Sequence, residues 1–229
     1  MSIFGAIRRS LERLLPQDCS VCGLGSGNAP VCPACAADLP YLDGSLCPVC
    51  ALPTTGGRCG ACLAAPPRFD ATTAVFRYAY PVEHLVQALK YRQRLALAGW
   101  LAASLAARVG RDGIDCVLPL PLSATRMRER GFNQAQEIAR PLARALGLPL
   151  LADCCSRVRD TPPQAGLPWT ERQANMRQAF ACRGELTGKR VAVVDDVMTT
   201  GATLNEFARL LKRHGAARVE NWVAARTLP

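Results

Sequence analysis

One junction in the chain concentrates residues that a core does not need and a ligand does. Four apolar residues, Val191 to Val194, are followed by Asp195 and Asp196, and shortly afterwards by Thr199, Thr200, Gly201, Ala202 and Thr203. The unbroken apolar run predicts a central parallel strand buried on both faces, and ligands of such sheets sit at the carboxyl ends of their strands. Gly201 permits a tight turn and close backbone approach, while free amides at the start of the next helix point at an anion and the threonine hydroxyls add donors. The junction is thus a candidate phosphate cradle. Two carboxylates directly upstream accept hydrogen bonds only, so they would repel a phosphate unless they face hydroxyls or a cation. A ribose diol placed beside the phosphate meets that need. An ordinary strand end with a helix cap would leave the carboxylate pair and the three threonines without a purpose. A receiver-type acidic pocket would need a further aspartate and a lysine at later strand ends, and the last strand offers neither.

The second concentration is of sulfur. Of twelve cysteines, eight form four Cys-x2-Cys pairs: Cys19/Cys22, Cys32/Cys35, Cys47/Cys50 and Cys59/Cys62. A two-residue gap lets both sulfurs of one turn reach a single ion at ~2.3 Å, and two such turns close a tetrahedral zinc site. Four turns make two structural zinc sites with no open position for a catalytic water. Sequential pairing, the first four cysteines and then the last four, is slightly favoured over nested pairing, and both stay open. Cys116, Cys154, Cys155 and Cys182 lie in or beside strand-like runs and read as small buried hydrophobes.

The chain has to supply a scaffold for both features. Its 229 residues accommodate one domain of about 150 residues and a smaller module. The reading divides it into an N-terminal helix over 1–15, a double zinc ribbon over 16–67 and an α/β domain over 68–229. In the first segment Ile3, Ile7, Leu11 and Leu14 recur at helical spacing among Arg8, Arg9 and Arg13, which suits a surface helix docking an apolar stripe. Beyond Pro66-Pro67, strands are predicted at 72–79, 114–120, 148–152, around Phe180, at 190–197 and at 218–227, with helices over 82–91, 95–109, 135–147 and 204–215. Strands alternating with helices give a parallel sheet covered on both faces.

The formal charge of +10 falls to about +6 once eight thiolates hold two zinc ions. A basic balance of that size steers phosphorylated small molecules and nucleic acid equally well. With arginines where a signal peptide needs its apolar centre, and no apolar run long enough to span a bilayer, a cytoplasmic protein is expected.

Apolar run, two acidic residues, two variable positions and Thr-Thr-Gly-x-Thr resembles the 5-phosphoribosyl-1-pyrophosphate (PRPP) motif of type I phosphoribosyltransferases. With zinc turns ahead of it, the whole chain resembles the ComF family, which is tied to DNA uptake and natural transformation. Supporting segments are LKY (89–91), LPLPLSATRMRERGFNQA (118–135) and the set Arg159, Gln164, Arg172, Asn175 and Phe180. The resemblance implies that Asp195 and Asp196 orient the ribose hydroxyls and that residues 199–203 hold the phosphate. It places the pyrophosphate loop at 118–123, with Pro121, Leu122 and Ser123 as its site residues, followed by Arg126, Arg130, Asn133 and Gln134. It also implies a substrate-covering flap over Arg157 to Asn175, with Arg159 and Arg172 on it, and magnesium arriving with PRPP. Purine-salvage relatives have a carboxylate where this chain has Thr199, and its absence argues against purine salvage. Two functions follow as expectations: transfer of phosphoribosyl to an unidentified acceptor, or a non-enzymatic PRPP or nucleotide sensor that binds single-stranded DNA and competence proteins. A homo-oligomer is compatible with either.

Overall fold

The computed structural model describes residues 17–158 and 179–228. The expected N-terminal helix, Arg159, Arg172 and most of the expected flap, including Gln164, Trp169 and Asn175, lie outside the described residues.

The described elements are α1 (Pro33–Ala37), α2 (Gly60–Ala64), β1 (Ala71–Arg77), α3 (Val82–Arg92), α4 (Ala96–Ala106), β2 (Cys116–Pro119), α5 (Ala124–Arg130), α6 (Gln134–Leu146), β3 (Cys155–Arg157), β4 (Phe180–Cys182), β5 (Arg190–Met198), α7 (Ala202–Arg213) and β6 (Arg218–Arg226). Four strands form one sheet in the order β1-β6-β5-β2, every pair parallel. β3 and β4 form a separate antiparallel pair.

The sequence explains the position of β5. Val191 and Val193 enter one core, with Phe207 and Leu211 of α7, while Ala192 and Val194 enter the other, with Leu101, Ile138 and Leu142 of α4 and α6. Side chains alternate along a strand, so a run with no polar member is apolar on both faces and demands a helical layer on each. The helices answer with apolar stripes: α6 buries Ala135, Ile138, Ala139, Leu142 and Ala143 at spacings of three and four. Asn133 caps α6 by accepting a hydrogen bond from the Ala135 amide at 3.0 Å, and Gly147 ends it at φ 66°.

One expectation needs correction. No strand forms at 148–152; one parallel bridge, Val117 to Leu150, is all that pairs there. Pro149 has no amide to donate, so a ladder cannot extend through it. The basic stretch after the 118–123 loop is two helices, α5 and α6, separated where Gly131 adopts φ 78°.

The cysteine module folds against the sheet rather than standing apart. The Leu42 amide donates to the Val75 carbonyl at 2.8 Å, the Arg77 amide to the Pro40 carbonyl at 2.8 Å and the Thr72 amide to the Pro48 carbonyl at 3.1 Å. The side of β1 that β6 leaves free is therefore paired by the module. Cys19, Val31 and Leu39 join the core under α4 and α6, whereas Leu42, Cys47, Val49 and Cys50 join the core under α7.

Candidate functional site

The eight N-terminal thiols gather into two clusters, Cys19/Cys22/Cys32/Cys35 and Cys47/Cys50/Cys59/Cys62, with all sulfurs of each within 4.8 Å of one another. The pairing is sequential. Cys22 and Cys32 sulfurs are 4.0 Å apart, and those of Cys50 and Cys59 3.5 Å. Two thiolates at ~2.3 Å on a tetrahedral ion stand about 3.8 Å apart, so both clusters fit structural zinc. Burial alone would raise the Cys19 thiol, but the amides of Cys32, Cys22 and Val21 turned toward its sulfur bring its pKa down to about 6. Cys47 reaches about 6 for the same reasons, with amides from Cys59, Cys50 and Val49. Backbone donors already stabilise the thiolate that a metal requires.

At the carboxyl ends of β5 and β2 lies a cavity of about 250 Å³. Its wall brings together Asp195, Asp196, Thr199, Thr200, Gly201, Ala202 and Thr203 on one side and Pro121, Leu122, Arg126, Arg130 and Asn133 on the other. Ser123 lies beneath that wall, 4 % exposed, where its hydroxyl caps α5 by accepting from the Arg126 amide at 3.4 Å.

The acidic pair is locked by its own backbone. Asp195 Oδ1 accepts from the Asp196 amide at 2.9 Å, and Asp196 Oδ1 from the Val197 amide at 2.8 Å. Burial, reinforced by the neighbouring Asp196 carboxylate, raises the Asp195 pKa well above the usual carboxylate range. Beyond the pair, Gly201 turns the chain at φ 81°, and α7 begins with no side chain capping it. The Ala202 amide reaches the Thr200 hydroxyl at a long 3.4 Å, and the next amides of the first turn face the cavity side of the helix start.

Sequence reasoning missed three cavity residues or their roles. Lys90, in the last turn of α3, holds Asp196 Oδ2 at 2.6 Å. Burial by itself would lower the Lys90 pKa, but the Asp196 carboxylate outweighs it, and the ammonium stays charged. The spacing carried the signal, because Lys90 follows Val82 and Val86 by steps of four and so extends the buried face of α3. Tyr78, just beyond β1, and Arg157, at the end of β3, also line the cavity. Arg130 stacks over Tyr91, its guanidinium carbon 5.1 Å from the ring centroid, and donates to Gln134 Oε1 at 3.0 Å. Among the described residues Arg130 Nε and Gln134 Nε2 are buried donors without a partner. With Lys90, Arg126, Arg130 and Arg157 against two carboxylates, the lining favours a polyanion.

Behind the turn at Thr199–Gly201 stands Arg226, buried at the end of β6. Its Nε donates to the Cys50 carbonyl at 3.0 Å, and one Nη to the carbonyls of Met198 at 3.0 Å and of Thr199.

A parallel sheet with helices on both faces, an acidic pair ahead of a glycine-turned helix start, and two tetracysteine clusters define a class: a type I phosphoribosyltransferase fold carried behind a double zinc ribbon. The family model of the double zinc ribbon domain matches residues 10–63, and that of the phosphoribosyl transferase domain matches residues 130–227. The DNA utilization protein YhgH of Escherichia coli K12 is 35% identical over 225 residues, covering 93% of this chain and 99% of its own. Competence protein F of Haemophilus influenzae is 32% identical over 218 residues, covering 91% of this chain and 90% of its own. Competence protein ComFC of Bacillus subtilis is 27% identical over 208 residues, covering 86% and 84% respectively. The chain belongs to the ComF family. Among the described residues no helix is long and apolar enough to cross a membrane.

Proposed function

We propose that the cavity binds PRPP and that the protein transfers its phosphoribosyl group to an acceptor that remains to be identified. One observation carries the reading: the uncapped start of α7 and the carboxylates of Asp195 and Asp196 line one wall of a cavity whose other wall supplies Arg126 and Arg130. A 5-phosphate at the amides and hydroxyls of residues 199–203 would leave the ribose diol facing the acidic pair and the pyrophosphate facing the arginines.

The acidic pair suits hydrated magnesium, since carboxylate oxygens are its preferred protein donors. Magnesium, when bound, supplies neutralisation of the leaving pyrophosphate. The chain's own residues do the positioning. Asp195 and Asp196 orient the ribose hydroxyls, Lys90 fixes Asp196, and the Arg130 and Gln134 donors meet the pyrophosphate as its bond to C1 breaks and the bond to the acceptor nitrogen forms. No protein nucleophile is required.

Incubation with PRPP, magnesium and a panel of nitrogenous acceptors tests the proposal by release of pyrophosphate. Release with at least one acceptor, abolished in Asp195→Asn, supports it; absence of PRPP binding by calorimetry overturns it.

The names of the relatives favour a second reading, in which the same pocket senses PRPP or a nucleotide in a protein that serves DNA uptake or use and binds single-stranded DNA. That reading expects PRPP binding without pyrophosphate release, together with DNA affinity that falls steeply with salt and survives Asp195→Asn.

A further inference from the structure

The β3–β4 pair assembles a third group of sulfurs, outside both ribbons. Cys154 immediately precedes β3, Cys155 opens it, and Cys182 ends β4 directly opposite Cys155 in the antiparallel register. All three sulfurs lie within 4.8 Å of one another. The Cys154–Cys182 separation is 3.6 Å, between the 3.5 Å and 4.0 Å found within the two ribbon clusters and close to the ~3.8 Å that two thiolates adopt on one tetrahedral zinc.

We propose that Cys154, Cys155 and Cys182 form a third zinc site with three thiolate ligands and one open position. The ligands are soft and uniform, a donor set that selects thiophilic ions over magnesium or calcium. The backbone is shaped around them. The Arg183 amide donates to the Cys154 carbonyl at 2.9 Å, folding the turn after β4 onto the sulfurs. A Cβ at Gly184 would stand 2.7 Å from the Cys154 sulfur, so the chain approaches closer than any side chain would allow.

The fourth position has somewhere to open. Cys154 and Cys155 form part of the wall of a cavity of about 440 Å³ that also presents Asp153, Arg157 and Arg183. Three thiolates on a divalent ion leave one negative charge, and the two arginines on the same wall offset it. Structural zinc sites in proteins close all four positions with side chains, whereas a site with three ligands and a cavity beside it admits water or an exogenous donor. This cavity shares Pro121, Leu122, Asn133 and Arg157 with the candidate phosphoribosyl site, so a metal here would stand on the far side of the pyrophosphate loop. The assignment rests on the sulfur geometry and is independent of whether PRPP binds.

Metal content per chain, measured on full-length protein purified under reductant, gives the test. Reconstitution with Zn2+ should reach three equivalents in the wild type and two in Cys154→Ser/Cys182→Ser. Titration with Co2+ should show a third sulfur-to-cobalt absorption step that this variant lacks while the first two remain. Retention of two ions and of the wild-type circular dichroism spectrum shows that the variant has folded. The single variant Cys155→Ser, whose side chain is replaced by a near isostere, should weaken the third step alone. Two equivalents of both metals in the wild type, or a Cys154–Cys182 disulfide persisting in reduced protein, would overturn the proposal.

Discussion

Arg226 donates its Nε to the Cys50 carbonyl at 3.0 Å, and the same guanidinium reaches the carbonyls of Met198 and Thr199 at the entrance to the turn that opens α7. A single side chain, 4 % exposed, thereby joins the second cysteine cluster to the turn on which ligand binding is proposed to depend. Replacing it with methionine roughly keeps the volume and removes the donor from four carbonyls, those of Cys50, Met198, Thr199 and Thr227. The expected loss is about 2–4 kcal/mol of unfolding free energy, read from urea denaturation. Chelating zinc from the wild type should likewise weaken ribose 5-phosphate binding in calorimetry, although no cysteine lines that cavity.

Lys90→Met leaves Asp196 without its partner at 2.6 Å. Breaking a pair this buried costs about 3 kcal/mol at neutral pH. Because the Lys90 pKa is raised in the fold, its contribution is fully present below the unfolded value of about 10.5 and disappears as pH climbs through the folded value. Thermal unfolding across the alkaline range should show that limb in the wild type and not in the variant.

Asp195 has the opposite effect on stability. Its folded pKa lies well above 3.8, so the native state holds a proton that the unfolded chain has already released, and stability contributed by this group falls as pH rises from about 4 through the folded value. Asp195→Asn should therefore melt higher than the wild type, by a margin that widens with pH. Binding of PRPP with magnesium should release protons, visible when calorimetric heats are compared in buffers of different ionisation enthalpy.

Gly201→Ala tests the proposed phosphate turn directly. A residue with a Cβ at φ 81° costs about 1–2 kcal/mol, and the new methyl would meet the buried Cε of Met198 at 2.5 Å. Phosphate affinity should drop by about tenfold or more, since the amides at the start of α7 move with the turn.

Much of this arrangement was written locally in the chain. The Val191–Val194 run, the Asp195-Asp196 pair and the threonines occupy consecutive positions, and Cys-x2-Cys turns declare themselves by spacing, so periodicity and motif logic reach them. What lay hidden depends on residues distant in sequence. Lys90 meets Asp196 only after α3 and β5 are packed, Arg226 finds Cys50 across the module boundary, and Cys154, Cys155 and Cys182 become a cluster only through the β3–β4 register. Pro149 shows the remaining kind of error: the apolar content of 148–152 suggested a strand, and one missing amide reduced it to a single bridge.

The backbone bonds from Leu42, Pro48 and Pro40 onto β1 give the cysteine ribbons a further role. An uncovered outermost strand offers its amides and carbonyls to any other extended segment, which is how sheets grow between molecules. The ribbons depend on their ions to stay folded, so the ions, held at a distance from the strand, keep the molecule from polymerising through it. Metal starvation would then register as self-association through that strand, alongside the weakened binding expected at the other end of the sheet.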